Sequence, residues 1–307
     1  MNSKHKAVVT GGAGFIGSHI ADALLARGYE VHVIDNLSGG KRENVPAAAL
    51  FHEIDILDTK AITPIVSGAA AVFHEAALPR VQFSVDHPFE SHQANVDGTL
   101  SVLIAARDGK VGRVVYAASA SAYGNQETMP LRENMLPTPV NPYGLHKYMG
   151  ELYMKMFADV YGIPTLSLRY FNVYGPRMDP EGPYGLAVAR FLDQFAKGEN
   201  LTIVGDGTQT RDFTHVRDIV NANMRAMESG KVGKGEVINI GAGKNISVNY
   251  LADLIDPGGK RLPMPIRVEA HDSRADNTLA KELLAWRPTV TIEEGIAELK
   301  GSLTMQR

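Results

Sequence analysis

Along the first half of the 307-residue chain, short apolar runs alternate with longer stretches in which apolar residues recur every third or fourth position. Ala7 to Thr10, Val31 to Asp35, Ala71 to His74, Arg113 to Ala118 and Thr165 to Arg169 are β-branched or continuously apolar, the texture of strands buried on both faces. Ile16 to Arg27, Thr59 to Val66, Val96 to Arg107 and Pro142 to Tyr161 carry helical spacing, and Gly28 and Gly162 stand where C-terminal stops belong. Strand and helix in alternation predict an α/β fold, a doubly wound parallel sheet covered on both faces. After about residue 173 the texture changes. Tyr174 to Tyr184 is rich in proline and glycine, which marks a loop and a candidate domain boundary. Beyond it the pattern predicts a helix near Ala187 to Lys197, a short strand near Leu201 to Val204, a helix near Asp218 to Glu228 and an apolar run from Glu236 to Ile240. There is no internal repeat and no low-complexity tract.

Composition narrows the partners. A net charge of −3 and a pI near 6.4 argue against nucleic acid, which selects a basic face, so any bound phosphate must be held locally. With no cysteine, disulfides, thiolate metal sites and cysteine nucleophiles are excluded, and no metal is expected. No apolar stretch approaches the length of a membrane span, so no membrane partner is expected. The opening MNSKHKAVVTGG runs straight into a strand, leaving no room for a secretion signal, and the expected location is the cytoplasm.

The first chemical signal is Thr10-Gly11-Gly12-Ala13-Gly14-Phe15-Ile16-Gly17, which places Gly11, Gly14 and Gly17 between a predicted strand and a predicted helix. Such a turn brings backbone close to a pyrophosphate where a Cβ would obstruct it, and the helix start offers unpaired N–H groups. Asp35 ends the second strand, where a carboxylate accepts hydrogen bonds from an adenosine ribose and repels a 2′-phosphate. That favours NAD over NADP, although Lys41 and Arg42 follow closely. Asp55 follows the third strand and is placed to meet the adenine amine, while Asp58 suits a helix N-cap.

The second signal is Tyr143 with Lys147. Of eleven tyrosines only Tyr143 has a lysine four residues on, and the pair opens a helix after Asn141-Pro142, with both side chains on one face. A nearby ammonium favours the phenolate and prepares a tyrosine for general-base work. A surface tyrosine stacked on a lysine stem is the plainer reading. Ser119 follows a strand and falls at the carboxyl end of the sheet, where open α/β folds place their chemistry.

These residues sit in blocks that together resemble the extended short-chain dehydrogenase/reductase family. The blocks are TGGAGFIGSH, DNLSGG, HEAA from His74, NVDGT from Asn95, SASAYG from Ser119, PYGLHK from Pro142, RYFNVYGP from Arg169 and GDGTQTRDFTHVRD from Gly205. They fall in family order across nearly the whole chain. The resemblance implies a Rossmann NAD-binding domain over 1–172 plus 213–243 and a smaller C-terminal α+β domain over 173–212 plus 244–307 that closes on a nucleotide-diphosphate sugar. It implies Ser119, Tyr143 and Lys147 as the catalytic triad, with Tyr143 taking the proton of the sugar C4 hydroxyl. Phe15, Ile16, Asn36, Ile56, Ala76 and Asn95 join the glycines, Asp35, Asp55 and Lys147 around NAD. Ser84, Asn172 and Arg211 join Ser119 and Tyr143 around the substrate. From the residues alone, Arg211 beside Asp212 reads as a surface ion pair. The family's Arg-x-Gly-Asp segment is altered here to Arg267-Val268-Glu269-Ala270, which leaves Arg267 and Arg274 both open as the second diphosphate arginine.

Within that family, dehydratases carry an Asp-Glu pair directly after the catalytic hydroxyl residue, to eliminate water. Here those positions are Ala120 and Ser121, and the glutamate that related decarboxylases place nearby is also missing. What remains is reduction of the ketone from its other face, the reaction of the UDP-glucose and UDP-N-acetylglucosamine 4-epimerase group. Ser273, three before Asp276, falls where the family sets a gate beside the sugar C2 substituent, and a serine leaves room for an N-acetyl group. A UDP-glucuronate 4-epimerase and a catalytically silent NAD-binding regulator are the alternatives. The resemblance also implies a homodimer, formed through the helices Val96 to Arg107 and Pro142 to Tyr161.

Overall fold

The computed structural model describes residues 5–179, 187–265 and 270–304. The chain enters on β1 (Lys6–Thr10), turns through glycines into α1 (Phe15–Ala26), and continues through β2 (Glu30–Asp35), β3 (Leu50–Glu53), α2 (Thr59–Val66) and β4 (Ala71–His74). Two short helices, α3 (Val81–Asp86) and α4 (Pro88–His92), lead to α5 (Gly98–Asp108), followed by β5 (Val114–Ser119), α6 (Pro142–Tyr161) and β6 (Thr165–Tyr170). Next come β7 (Val173–Tyr174), α7 (Ala187–Lys197), β8 (Leu201–Val204), β9 (Thr210–Arg211), β10 (Thr214–His215), α8 (Val216–Glu228) and β11 (Lys234–Ile240). The chain ends with β12 (Ile246–Ser247), α9 (Val248–Ile255), β13 (Arg261–Met264), α10 (Thr278–Leu284) and α11 (Ile292–Thr304).

Seven strands pair in parallel in the order β11-β6-β5-β4-β1-β2-β3, the doubly wound sheet the alternation predicts. Successive strand residues face opposite sides of a sheet. Val9, Phe73 and Val115 accordingly pack with α1 and α8 residues such as Leu24 and Ile219, while Val8, Val72 and Val114 pack with Ile62, Leu103 and Phe157 of α2, α5 and α6. Each such fully buried side chain contributes about 1.5–3 kcal/mol. Strand order reverses between β1 and β4, so their carboxyl ends diverge into the crevice where open α/β sheets bind ligands. A separate apolar cluster, including Phe191, Leu201, Phe213, Leu251 and Ile296, holds α7, β8, α9 and α11 together.

The helix expected from Val96 begins differently. Residues 93–97 form one wide π-type turn, and regular α-helix starts only at Gly98. Gly98 packs closely there: a Cβ would come within 2.6 Å of the end of the Ile56 side chain, which would have to move aside. Among the described residues no helix is long and apolar enough to cross a membrane.

Candidate active site

A cavity of about 630 Å³ opens at the carboxyl ends of β1, β4, β5 and β6. Its inner wall is the glycine turn. Gly11 has φ +70°, and a Cβ on it would stand 2.6 Å from the Ala76 nitrogen. A Cβ on Gly17 would drive into the Gly11 carbonyl, so α1 could not approach β1 so closely with any other residue there. Gly14 caps α1 with extended backbone and no side-chain hydrogen bond, leaving first-turn N–H groups and the positive end of the helix dipole toward the cavity. This cradle fits a dinucleotide pyrophosphate.

Asp35 lines the same cavity, with Oδ2 accepting from Ala13 N–H (3.0 Å) and Oδ1 from Leu37 N–H (2.8 Å). Burial raises its pKa, and the two backbone donors pull it back. Asn36 donates from Nδ2 to Asp55 (2.8 Å), whose other oxygen accepts from Leu57 N–H, so the two predicted adenine-end residues brace each other. Asp58 caps α2 through Ala61 N–H. Phe15, Ile16, Ile56 and Ala76 also line the cavity. Of the two basic residues near Asp35, Lys41 faces Asp179 at 3.8 Å and Arg42 lies over the Phe51 ring.

At the other end Ser119, Tyr143 and Lys147 come together. Asn141 caps α6 by accepting from Gly144 N–H (2.9 Å), and Pro142 fits the first helical position, where its missing N–H costs nothing. That start sets Tyr143 in the first turn, and its side chain lines the cavity together with that of Ser119. Burial pushes Tyr143 up to about 12, the neighbouring Ser119 hydroxyl opposes the shift, and the negative field of Glu75 adds to it. Lys147 is buried, donates from Nζ to the Ala117 carbonyl (2.7 Å) and is brought down to about 8 by burial, against the pull of Glu75 and Glu151. In this structure the Lys147 ammonium is turned to the Ala117 carbonyl.

The outer wall carries Asn172, Arg211 and Ser273. Asn172 has φ +22°, a conformation asparagine tolerates better than most residues, and its Nδ2 lies 3.4 Å from Ser273 Oγ. Arg211 donates from Nη1 to the carbonyls of Thr210 (2.9 Å) and His271 (2.7 Å). It does not form the surface pair with Asp212 that its neighbour suggested. Asp212 is buried and accepts instead from the N–H groups of Ala242, Gly243 and Ala275, tying the loop after β11 to the strand segment that carries Ser273. Arg274 is absent from the cavity wall, and Arg267 lies outside the described residues.

Two predicted contact residues stand behind the wall rather than in it. Ser84 accepts from Tyr143 N–H (3.1 Å) and donates to Val81 O (2.6 Å), so it locates the tyrosine backbone. Asn95, on the wide turn, accepts from Leu78 N–H (2.7 Å) and donates to Leu78 O (3.2 Å), so its amide shapes the loop after β4. Sequence reasoning missed His74 and Glu75. Thr99 gives its proton to Asn95 O, so His74 Nε2 donates to Thr99 and Nδ1 accepts from Thr10, which locks the ends of β1 and β4 together. Burial holds this histidine neutral, at about 3. Glu75 follows it into the cavity wall.

A glycine cradle, a carboxylate at the end of β2 and a tyrosine, serine and lysine in one cavity wall are the features of a dinucleotide-dependent enzyme. The model of the NAD dependent epimerase/dehydratase family matches residues 7–241, and the chain belongs to that family. NAD is its cofactor. It is 40% identical to a UDP-glucose 4-epimerase of Thermotoga maritima solved with UDP-glucose (TM-score 0.93, covering 98% of this chain and 99% of that one). It is 35% identical to a UDP-N-acetylglucosamine 4-epimerase of Methanobrevibacter ruminantium solved with UDP-N-acetylmuramic acid (TM-score 0.92, 99% of each). A UDP-glucuronic acid 4-epimerase of Bacillus cereus, solved with UDP-glucuronic acid and NAD, is 32% identical (TM-score 0.88, 98% and 100%).

Proposed function

We propose that the protein inverts C4 of UDP-hexoses, interconverting UDP-glucose with UDP-galactose and UDP-N-acetylglucosamine with UDP-N-acetylgalactosamine. The observation that carries this reading is the meeting of Ser119, Tyr143 and Lys147 in one cavity wall, with Ala120 and Ser121 beside them where an eliminating enzyme needs an acid and a base. When bound, oxidised NAD supplies a hydride acceptor and a positive charge. Tyr143 takes the C4 hydroxyl proton as the carbon is oxidised and returns it after the 4-keto sugar has presented its other face. Ser119 holds the same oxygen. Lys147 is positioned for the nicotinamide ribose, and its ammonium favours the ionised tyrosine once the Ala117 carbonyl is shared. Asn172 and Arg211 hold the sugar diphosphate, the guanidinium suiting phosphate oxygens. The substrate-binding part is 173–212 plus 244–307, except that α10 and Trp286 pack into the same core as α1, α8 and β11.

The test is a turnover panel of UDP-glucose, UDP-N-acetylglucosamine and UDP-glucuronate, followed by Ser273→Tyr. Ser273 lines the cavity, so a phenol there crowds the C2 substituent. The variant is expected to lose about tenfold or more in kcat/KM on the acetylated pair and far less on the plain pair. Equal losses, or a wild type inert on acetylated sugars, would remove Ser273 as the gate.

The working form is a homodimer through α5 and α6. Leu145, Leu152, Val160 and Tyr161 of α6 and Phe89 of α4 are large, exposed and apolar, more than a solvated helix face needs. Sedimentation at micromolar concentration should give twice the chain mass; a monomer there would exclude this contact.

A further inference from the structure

We infer that Glu75 is an electrostatic positioning residue that makes the site prefer oxidised over reduced nicotinamide. The inference rests on the NAD-dependent epimerase reading above.

Glu75 lies one residue beyond β4. His74 is committed to Thr10 and Thr99, and alternation turns Glu75 to the opposite side of the sheet, toward β6. There its Oε1 accepts from the Tyr170 hydroxyl at 2.8 Å. The Tyr170 oxygen in turn accepts from Asn223 Nδ2 (2.7 Å), and the same Nδ2 donates to Ile219 O (3.0 Å) on α8. An amide nitrogen has no lone pair to accept with, so the Tyr170 proton points at Glu75. The network therefore presents a donor to that carboxylate, as its ionised form requires. Among the described residues no lysine or arginine lies within ion-pair distance of it; the cation acting on it is Lys147, whose ammonium is turned to Ala117.

Glu75, Tyr170, Tyr143 and Lys147 all line one cavity, and Glu75 acts electrostatically on the other three. A hydride acceptor must lie against the sugar carbon whose hydroxyl meets Tyr143. It therefore falls within the field that already reaches Tyr143. The oxidised ring carries a positive charge and the reduced ring carries none. A carboxylate several ångströms away in a protein environment favours the charged form by about tenfold or more. In an epimerase the two electrons and the hydrogen taken from C4 are both returned to C4, so the cofactor must end each cycle oxidised. A bias toward that state opposes loss of the keto sugar from a reduced enzyme.

The charge is titratable. Burial pushes Glu75 up to about 7, opposed by the Tyr170 hydrogen bond and the Lys147 ammonium. Because the carboxylate is the form that attracts the cation, the bias is complete above that pH and fades as pH falls through it. Tyr143 and Tyr170, which also face it, stay neutral over this range because burial raises both. Lys147, brought down to about 8, gains charge as pH falls and also disfavours the oxidised ring, so the Glu75 share of the pH effect is the part that Glu75→Gln removes.

The test equilibrates the purified protein with defined mixtures of NAD and NADH and reads the bound ratio by nicotinamide fluorescence, for wild type, Glu75→Gln and Glu75→Asp, at pH 8 and pH 6. Glutamine keeps an acceptor for Tyr170 and removes the charge. Glu75→Gln at pH 8 should shift the bound ratio about tenfold toward NADH, which is about 30 mV for a two-electron couple. Glu75→Asp should retain most of the bias, and wild type should move toward the Gln variant at pH 6. An unchanged ratio in Glu75→Gln, or a wild-type ratio that is the same at both pH values, overturns the inference while leaving the epimerase reading intact. Should the Gln variant not fold, Glu75→Met, which also removes the charge, takes its place at both pH values. A wild type that binds neither nucleotide overturns the cofactor assignment and this inference together.

Discussion

Tyr143→Phe is expected to fold, to bind NAD and to lose at least about two orders of magnitude in kcat, the usual worth of a positioned general base. The loss should be chemical and not structural. The backbone N–H of Tyr143 is held by Ser84, the start of its helix is held by Asn141 and Pro142, and phenylalanine preserves both. Only the hydroxyl that it adds to the cavity wall disappears. The pH profile separates this role from a packing role. Burial pushes the Tyr143 hydroxyl up to about 12, so the base is scarce near neutrality unless bound cation and Lys147 lower it. Wild-type kcat should therefore rise with pH along its acid limb, as phenolate accumulates, and the residual activity of the Phe variant should lack that limb. Near-normal turnover in Tyr143→Phe would take the residue out of the mechanism.

The largest stability effect is expected at Glu151. Glu151 on α6 receives a fork from Arg169 on β6, with Nε to Oε1 at 2.7 Å and Nη2 to Oε2 at 2.6 Å, and both side chains are 2% exposed. The guanidinium also lies over the Tyr123 ring at 4.3 Å. Removing one partner strands a buried charge, so Glu151→Ala should cost about 3–5 kcal/mol in urea unfolding. Replacing the pair together, as Glu151→Leu with Arg169→Met, should recover most of that loss, because an apolar pair needs no desolvation of charge. A single variant within about 1 kcal/mol of wild type would mean that the site is wetter than its burial suggests. The pair also bears on the site. Glu151 is one of the two carboxylates that sustain the Lys147 charge, so its loss should lower the Lys147 pKa further, shrink the ammonium fraction near neutrality and reduce turnover.

The elements that the sequence determined by itself are those whose causes are local. Glycines between a strand and a helix demand one kind of turn, Asn141-Pro142 announces a helix start, and four-residue spacing puts Tyr143 and Lys147 on one face whatever else the chain does. Apolar alternation made the parallel sheet legible in the same way, because burial on both faces leaves continuous apolar runs. The tertiary structure alone decided which polar groups meet across distance. Glu75 reaches Tyr170 over 95 positions, Asp212 reaches Ala275 over 63 and Ser84 reaches Tyr143 over 59, and no periodicity within one element encodes such pairs. Asp212 shows the difference most plainly: beside Arg211 in sequence it suggests a surface ion pair, yet burial gives its oxygens to three backbone N–H groups. A buried carboxylate takes the donors that the fold leaves beside it, because an unmet charge away from water is costly, and those donors come from wherever the sheet brings the chain back.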